Sequence, residues 1–254
     1  MSNPVVITRP LAQADALAQR VAASGREGQV FPLLDIHPLE DQSKLKAALK
    51  NLSGCALVAF VSPNAIDAVF ALLESWPRAV AIGVMGEGSR AALARHGVTP
   101  LNARIISPLD PERTDSQTLL QALDLDALRG KRVMIMRGES GRELLADELR
   151  AAGIRVAQIA AYRRAAPHLD EARRAQLTRL LDSPHDWIIT SSEALRILVQ
   201  MAKRTAGSGG VAKMQQQRII VPHARIAETA RMLGFTAITL TGSGDERLLA
   251  ALQS

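Results

Sequence analysis

The stretch KRVMIMRGESGRELLADELRAAG, residues 131–153, decides the fold. Its apolar run 133–136 has the length of a buried strand. Arg137-Gly138 ends that run, and Ser140 stands three residues before Glu143, the spacing of a capping box at a helix start. Apolar residues at helical spacing follow, up to the glycine that closes the stretch. The pattern predicts half of a βαβ unit, whose turn directs free backbone N–H groups at one point.

Three strand–turn motifs each occur twice along the chain, in the order A, B, C, A, B, C. Motif A is VVITRP (5–10) and VMIMRG (133–138), motif B is VAFVSPNA (58–65) and WIITSSEA (187–194), and motif C is AIGVMGEGS (81–89) and RIIVPHAR (218–225). The duplication predicts two parallel-sheet α/β domains with right-handed crossovers. It leaves open whether the domains are consecutive or one is inserted in the other.

Between these motifs the pattern predicts further elements. Residues 30–34 read as a strand and residues 169–181 as a charged amphipathic helix. Residues 107–115 read as a loop, and the glycine- and glutamine-rich stretch 205–217 reads as a mobile loop. Short connectors, 35–38 and a second one that opens at Tyr162, lie between the duplicated parts.

Composition limits the function. The 254 residues are 47% hydrophobic, and no apolar run approaches the ~18 residues of a membrane span. The N-terminus lacks the order of a signal peptide, so we expect a cytoplasmic protein. Cys55 is the one cysteine, which excludes an intrachain disulfide and predicts a small buried apolar group. A net charge of +6 with only 3% aromatic residues favours a small polyanion over nucleic acid as the ligand.

The predicted ligand site lies at the carboxyl ends of the strands, where open α/β sheets bind ligands. The turns that leave these ends are rich in small polar residues and backbone amides. The candidate binding residues are Arg9, Ser62, Asn64, Gly86, Ser89, Arg137, Gly138, Ser191, Ser192, His223 and Arg225. The alternative interpretation is that each serine only caps its helix.

The usual catalytic signatures are missing from the sequence, among them H-E-x-x-H, G-x-S-x-G and Walker A. The five histidines are far apart, and each alone is more often structural or exposed than a metal ligand. Tyr162 is the one tyrosine and stands beside two arginines. It either packs a domain junction or supplies a phenolic proton donor, and the pattern alone leaves both interpretations open.

Taken together, the motifs resemble the uroporphyrinogen-III synthase family over essentially the whole chain. The matching pieces are VVITRP, FVSPNA, GVMGEGS, GKRVMIMRGESGRE, AAYRR and ITSSEAL. The resemblance implies two similar parallel-sheet α/β domains, one inserted in the other, with a two-stranded connector and the active site in the cleft between them. Residues 1–34 and 169–254 would form domain 1, residues 39–161 the inserted domain 2, and residues 35–38 and 162–168 the connectors.

The family cyclises the linear tetrapyrrole hydroxymethylbilane with loss of water and inversion of the last pyrrole ring. The resemblance therefore implies no metal or organic cofactor, a substrate with eight carboxylates, no nucleic acid or membrane partner, and a transient contact with the preceding pathway enzyme. Tyr162 matches the family's tyrosine and is the candidate catalytic residue. Ser89 stands where the family often has threonine, and residues 222–225 replace a turn that carries threonine or serine in many members, so His223 and Arg225 would serve as alternative donors.

Two competing functions remain at this stage. One is a non-catalytic two-domain binding protein for a small polyanion or nucleic acid. A nucleic-acid ligand would require a continuous basic face on the protein. The other is a nucleotide-sugar transferase, which would usually need an acidic metal-binding pair or a fuller glycine fingerprint than Gly86-x-Gly88.

Overall fold

The computed structural model describes residues 2–108 and 115–253. The chain divides into two compact units. Unit 1 comprises residues 1–35 and 165–254, and unit 2 comprises residues 36–164. Each unit holds one sheet with helices on both of its faces, which confirms the predicted α/β class with parallel sheets.

The secondary structure alternates along the chain. The strands are β1 (Val5–Ile7), β2 (Gly28–Val30), β3 (Asp35–His37), β4 (Leu57–Phe60), β5 (Ala81–Val84), β6 (Ile105–Ile106), β7 (Arg132–Gly138), β8 (Arg155–Ala165), β9 (Asp186–Ile188), β10 (Arg218–Val221) and β11 (Ile238–Leu240). The helices are α1 (Leu11–Ala23), α2 (Ser43–Lys50), α3 (Pro63–Phe70), α4 (Glu87–Arg95), α5 (Ser116–Ala122), α6 (Leu125–Leu128), α7 (Leu144–Ala151), α8 (Glu171–Leu181), α9 (Ser192–Gln215), α10 (Ala224–Met232) and α11 (Asp245–Ala250). A short 3₁₀ turn, Leu52–Gly54, precedes β4.

Both sheets use the duplicated motifs in the same spatial order. The sheet of unit 1 runs β2-β1-β9-β10-β11, and the sheet of unit 2 runs β3-β8-β7-β4-β5-β6. In each sheet the strand of motif A lies beside that of motif B, and motif C follows on the far side of B. The pairs β1–β9, β9–β10, β4–β7 and β4–β5 are all parallel. The predicted duplication is therefore confirmed at the level of strand order.

Strand side chains alternate between two cores, one on each face of a sheet. In β7, Met134 and Met136 pack into one core, whereas Val133 and Ile135 pack into the other. In unit 1, Val6 and Val5 divide in the same way. Because both faces are buried, these strands read as continuous apolar runs in the sequence instead of alternating with polar residues.

Polar residues begin several helices as the sequence predicts. Ser62 caps α3 by accepting the backbone N–H of Ala65, with a proline at the first helical position. Ser191 caps α9 in the same way. Asp170 caps α8, so the helix predicted over 169–181 begins slightly later, at Glu171.

The capping box predicted in the opening stretch is wrong. Strand β7 continues through Gly138, and α7 begins only at Leu144 with Glu143 at the N-cap and no side-chain cap bond. The reason is that the carboxylate of Glu143 accepts hydrogen bonds from Arg137 and Gln158. The acid that would complete the box is therefore occupied by a partner on the sheet.

Two further predictions need correction. Strand β2 covers Gly28–Val30, not 30–34. The regular ladder ends because the amide of Leu33 donates to Thr8 instead of Arg9, the acceptor that the register of β1 and β2 requires. The stretch 205–217 lies mostly within helix α9, which is interrupted at Ala206 and Gly207 but continues to Gln215. Residues 109–114 of the predicted loop lie outside the described residues.

Most of the residues predicted as connectors lie on strands. Residues 35–37 form β3, and Tyr162 lies within β8, the neighbour of β3 in the sheet.

Cys55 is buried as predicted, and burial raises the pKa of its thiol, which stays protonated at neutral pH. Among the described helices, none combines the length and apolar character needed to cross a bilayer.

The break in α9 generates a stability prediction. Gly207 has φ +58° and ψ −144°, a conformation essentially restricted to glycine, so Gly207→Ala should destabilise the protein by about 1–3 kcal/mol. Gly209 is helical and exposed, with no atom within 4 Å of the place that a Cβ would take, and Gly209→Ala should stabilise by up to ~1 kcal/mol. Urea unfolding of both variants measures the contrast. Equal effects of the two substitutions would contradict the requirement for glycine at 207.

Candidate functional site

The predicted turns gather at one edge of each sheet. In unit 2 the residues after β7, β4 and β5 leave the carboxyl ends of three adjacent parallel strands, and in unit 1 the residues after β1, β9 and β10 do the same. In each unit the chain leaves the A strand toward one side of the sheet and the B strand toward the other. This divergence is the topological switch point, where α/β sheets open a crevice for ligands.

Tyr162 lies at the switch point of unit 2 because of an irregularity in the sheet. Residue 137 pairs with residue 160, but Gly138 pairs with Tyr162, so the register shifts by one residue between them. The tyrosine is only 3% exposed and belongs to the core on that face of the sheet. Its phenolic oxygen lies 3.1 Å from Oγ of Ser62, the residue that caps α3. The structure thus brings together three predicted site residues, Ser62, Gly138 and Tyr162.

Gly138 provides the space for this arrangement. A Cβ at position 138 would lie 3.2 Å from Cζ of Tyr162 and 3.4 Å from its phenolic oxygen, closer than side chains ordinarily pack. The tyrosine ring therefore rests directly on the backbone of β7. Glycine is needed here for close approach and not for a positive φ.

Arg137 takes part in a polar network within unit 2. Its guanidinium donates to Oε1 of Glu143 at 2.6 Å and to Oε1 of Gln158, and the residue is buried. Hydrogen bonds from Gln158 and then from Arg137 lower the pKa of Glu143. A carboxylate thus already neutralises this arginine, and its contacts here are those of a residue that ties β7 to the start of α7.

The remaining candidates of unit 2 stand at helix starts. Gly86 is the N-cap of α4, and Ser89 is buried in the first turn of that helix. Asn64 lies in the first turn of α3, next to the cap formed by Ser62. Two helix N-termini therefore lie near the same sheet edge as Tyr162.

In unit 1, Arg9 follows β1 and forms an ion pair with Asp245, its Nη2 lying 2.7 Å from Oδ1. Ser191 accepts the backbone N–H groups of Glu193 and Ala194 at the start of α9. Ser192 lies 3.1 Å from Oγ1 of Thr229 on α10. These serines have capping or bridging partners, and Arg9 has an acidic one.

The divergent turn 222–225 places His223 at the N-cap of α10 with no side-chain cap bond, and Arg225 is exposed in the first turn. Nε2 of His223 lies 3.2 Å from Oγ of Ser243. Ser243 belongs to the turn Thr241-Gly242-Ser243-Gly244 after β11, which our sequence analysis did not single out. An apolar run followed by small polar residues and glycine was the signal for it, matching the other turns.

Metal binding finds no support in the part of the chain that the structure describes, where no three His, Cys, Asp or Glu side chains are grouped closely enough to hold an ion. The chemistry available at the two sheet edges is hydrogen-bond donation by amides and hydroxyls, cation pairing by arginine, and a phenol.

Comparisons with known proteins identify the family. The family model described as uroporphyrinogen-III synthase HemD matches residues 15–242. The chain belongs to the uroporphyrinogen-III synthase family. It is 33% identical to the uroporphyrinogen-III synthase of Salmonella typhimurium over 98% of this chain and 99% of the relative, and 30% identical to that of Escherichia coli over the same shares. The resemblance drawn from the motifs is confirmed.

Solved structures of the family share the fold. The uroporphyrinogen-III synthetase of Helicobacter pylori aligns with a TM-score of 0.63 at 15% identity, covering 99% of both chains. A uroporphyrinogen III synthase mutant from Thermus thermophilus aligns with a TM-score of 0.57 at 17% identity, covering 98% of this chain and 96% of that one. At such low identity these likenesses establish the architecture alone.

The Arg137 network generates a pH prediction. Because the pKa of Glu143 is lowered in the folded state, its contribution to stability is present above the ordinary value of 4.5 and is lost as pH falls through the lowered value. Glu143→Gln should therefore flatten the acid limb of the unfolding free energy against pH. Gln158→Ala, which removes the largest cause of the shift, should flatten it in part. An acid limb unchanged in Glu143→Gln would mean that the pair does not form in solution.

Proposed function

We propose that this chain closes hydroxymethylbilane to uroporphyrinogen III, with loss of water and inversion of the last pyrrole ring, and that Tyr162 assists departure of the hydroxyl. Membership of the family makes the coarser activity that of a cyclising lyase in tetrapyrrole biosynthesis. The observation that carries the finer proposal is the contact of 3.1 Å between the phenol of Tyr162 and Ser62 at the switch point of unit 2.

The proposed step balances without a redox partner. The C–O bond of the hydroxymethyl group breaks as electrons move in from its pyrrole ring, the phenol proton joins the departing hydroxyl to form water, and an azafulvene remains. The α-carbon of the terminal ring that already carries its bridge attacks the exposed carbon, and the bond from that α-carbon to its old bridge then breaks. The released bridge carbon bonds to the free α-carbon of the same ring, which inverts the ring. The proton lost from that second α-carbon as the ring regains aromaticity returns to the phenolate. Because the pyrrole drives the departure, the protein chiefly orients the chain and excludes unguided closure.

The polyanionic substrate accounts for the turns in both units. We propose that its carboxylates bind the polar groups of the turns at the starts of α3, α4, α9 and α10, among them Asn64, Gly86, Ser89, Ser191, Ser192 and His223. Helix N-termini favour negative charge, which supports this assignment. Arg9 and Arg225 add cationic donors, and the net charge of +6 favours association with an acidic ligand.

The position of Arg137 in motif A predicts a ligand-binding role, but we propose a structural role for it. Its burial and its contacts with Glu143 and Gln158 support a role in holding the turn after β7 in shape. Gly138 likewise contacts the tyrosine ring. We further propose a cytoplasmic location, no nucleic acid or membrane partner, and transient transfer of the unstable substrate from the preceding pathway enzyme.

The activity is tested by product analysis. Purified protein should convert hydroxymethylbilane to the type III isomer faster than the spontaneous formation of the type I isomer. Tyr162→Phe should lower kcat by up to about 10²-fold, because one acid catalyst is lost while the substrate still expels its hydroxyl. Unchanged kcat in this variant would make Tyr162 a packing residue. Type I product alone from the wild-type protein would favour the alternative of a non-catalytic binding protein.

The two arginines of motif A should respond differently to substitution. Arg9→Ala should weaken binding of a product-like tetrapyrrole by at most about 1.5–3 kcal/mol, the value of one charged hydrogen bond. The loss stays small because many other donors also bind the carboxylates of the ligand. Arg137→Ala should mainly lower the stability of the fold, since it removes the buried guanidinium that joins Glu143 to Gln158. Titration with the tetrapyrrole and urea unfolding of each variant separate the two effects. Abolition of binding by Arg9→Ala would indicate a single arginine clamp instead.

A further inference from the structure

Ser62 makes two contacts at once. Its Oγ accepts the backbone N–H of Ala65 at 3.2 Å and lies 3.1 Å from the phenolic oxygen of Tyr162. A hydroxyl that accepts one hydrogen bond becomes a better donor for the next, because successive hydrogen bonds polarise one another. The start of α3 also favours negative charge near it. Both effects favour the arrangement in which Ser62 donates and the phenolic oxygen accepts.

We propose that Ser62 and Gly138 are positioning residues for Tyr162: Ser62 donates its hydroxyl hydrogen to the phenolic oxygen, and Gly138 leaves the space in which that contact forms. This inference rests on the proposed function. The consequence is that the phenol's own proton stays free for the departing hydroxyl of the substrate. The electron density that the phenolic oxygen gains on giving up its proton is stabilised by the Ser62 hydroxyl and, through it, by the helix start.

Gly138 contributes only by lacking a side chain, which lets the ring of Tyr162 approach the backbone of β7. A Cβ at this position would lie 3.2 Å from Cζ and 3.4 Å from the phenolic oxygen of Tyr162. The backbone of β7 itself cannot withdraw, because it pairs with β4 on one side and β8 on the other. Gly138→Ala should therefore displace the ring and lengthen the contact with Ser62.

The duplicated architecture supplies a comparison within the same chain. Ser191 follows the B strand of unit 1 as Ser62 follows that of unit 2, and it accepts the amides of Glu193 and Ala194. The strand beside β1, at the place of β8, is Gly28–Val30 and carries no tyrosine. Capping is therefore shared by both serines, whereas the phenol partner belongs to Ser62.

The first test is spectroscopic and independent of activity. The chain has one tyrosine, so the tyrosine Fermi doublet in its Raman spectrum reports Tyr162 alone. The intensity ratio of that doublet distinguishes a phenol that accepts a hydrogen bond from one that only donates. The wild-type protein should give the accepting ratio, Ser62→Ala and Gly138→Ala should lose it, and Ser62→Thr should keep it. A donating ratio in the wild-type protein would overturn the proposal.

Matched controls separate positioning from general damage. Ser191→Ala removes a helix cap of the same kind and should leave the doublet unchanged. Gly83→Ala, on β5 of the same sheet, places its Cβ 3.6 Å from the nearest atoms, an ordinary contact, and should also leave the doublet unchanged. A change of the doublet in either control equal to that in Ser62→Ala would overturn the assignment.

The second test is kinetic. Ser62→Ala should lower kcat about three- to tenfold, the range of one neutral hydrogen bond, with little change in KM, and Ser62→Thr should restore the rate. In the Tyr162→Phe background Ser62→Ala should have no further effect on kcat, because the two residues act as one unit. A raised KM in Ser62→Ala, together with an undiminished effect of Ser62→Ala on kcat in the Tyr162→Phe background, would show that Ser62 contacts the substrate directly.

Absence of type III product from the wild-type protein would reject the proposed function, whereas the Raman result would still decide the Ser62–Tyr162 contact.

Discussion

The parallel pairing of the A strand with the B strand is the constraint on which each unit depends. In unit 1 it joins β1 to β9, with Val5 opposite Asp186, and so brings together parts of the chain that lie on either side of unit 2 in the sequence. In unit 2 it joins β4 to β7, with Phe60 opposite Met136. The turns that leave these strands fall at one sheet edge only because the strands are parallel and in register.

The two ends of this central pair in unit 1 carry different kinds of polar residue. At the amino end, the buried carboxylate of Asp186 pairs with Arg26 at 2.7 Å and with Arg218 at 3.4 Å, and Arg26 also donates to backbone oxygens of Asn3 and Leu252. A buried charge is tolerated when it is paired and hydrogen-bonded, and this cluster fixes the chain termini to the sheet. At the carboxyl end the polar groups sit in turns and at helix starts, where Asp245, Thr229 and the first amides of α9 are their partners.

Local patterns were sufficient for the strands of the three repeated motifs, for the caps at Ser62 and Ser191 and for the repeated motif order. They failed where a distant residue changes the meaning of a local one. Glu143 has the spacing of a capping box but bonds to Gln158 on β8, and Arg137 has the position of a binding residue but is buried beside them. The sequence of this turn carries no sign of its partner strand.

The glycine-rich part of α9 shows a second reason for failure, because glycine predicts flexibility when only its own conformational freedom is considered. In α9, however, Gly207 turns the chain through a positive φ beside the non-helical Ala206, and the helix resumes after it. Only the tertiary structure distinguishes this use of glycine from a mobile loop.

The influence of distant residues also explains why the two duplicated sites can have different roles. Both B turns use a serine to satisfy amides at a helix start, which is a requirement of the fold. In unit 2, β8 is long enough, and shifted in register at Gly138, to set a phenol beside that serine. The short strand β2 at the equivalent place in unit 1 ends before Pro32, and Arg9 meets Asp245 instead. At the sheet edge of unit 2 a phenol therefore lies beside the helix starts, whereas at that of unit 1 an arginine paired with Asp245 does.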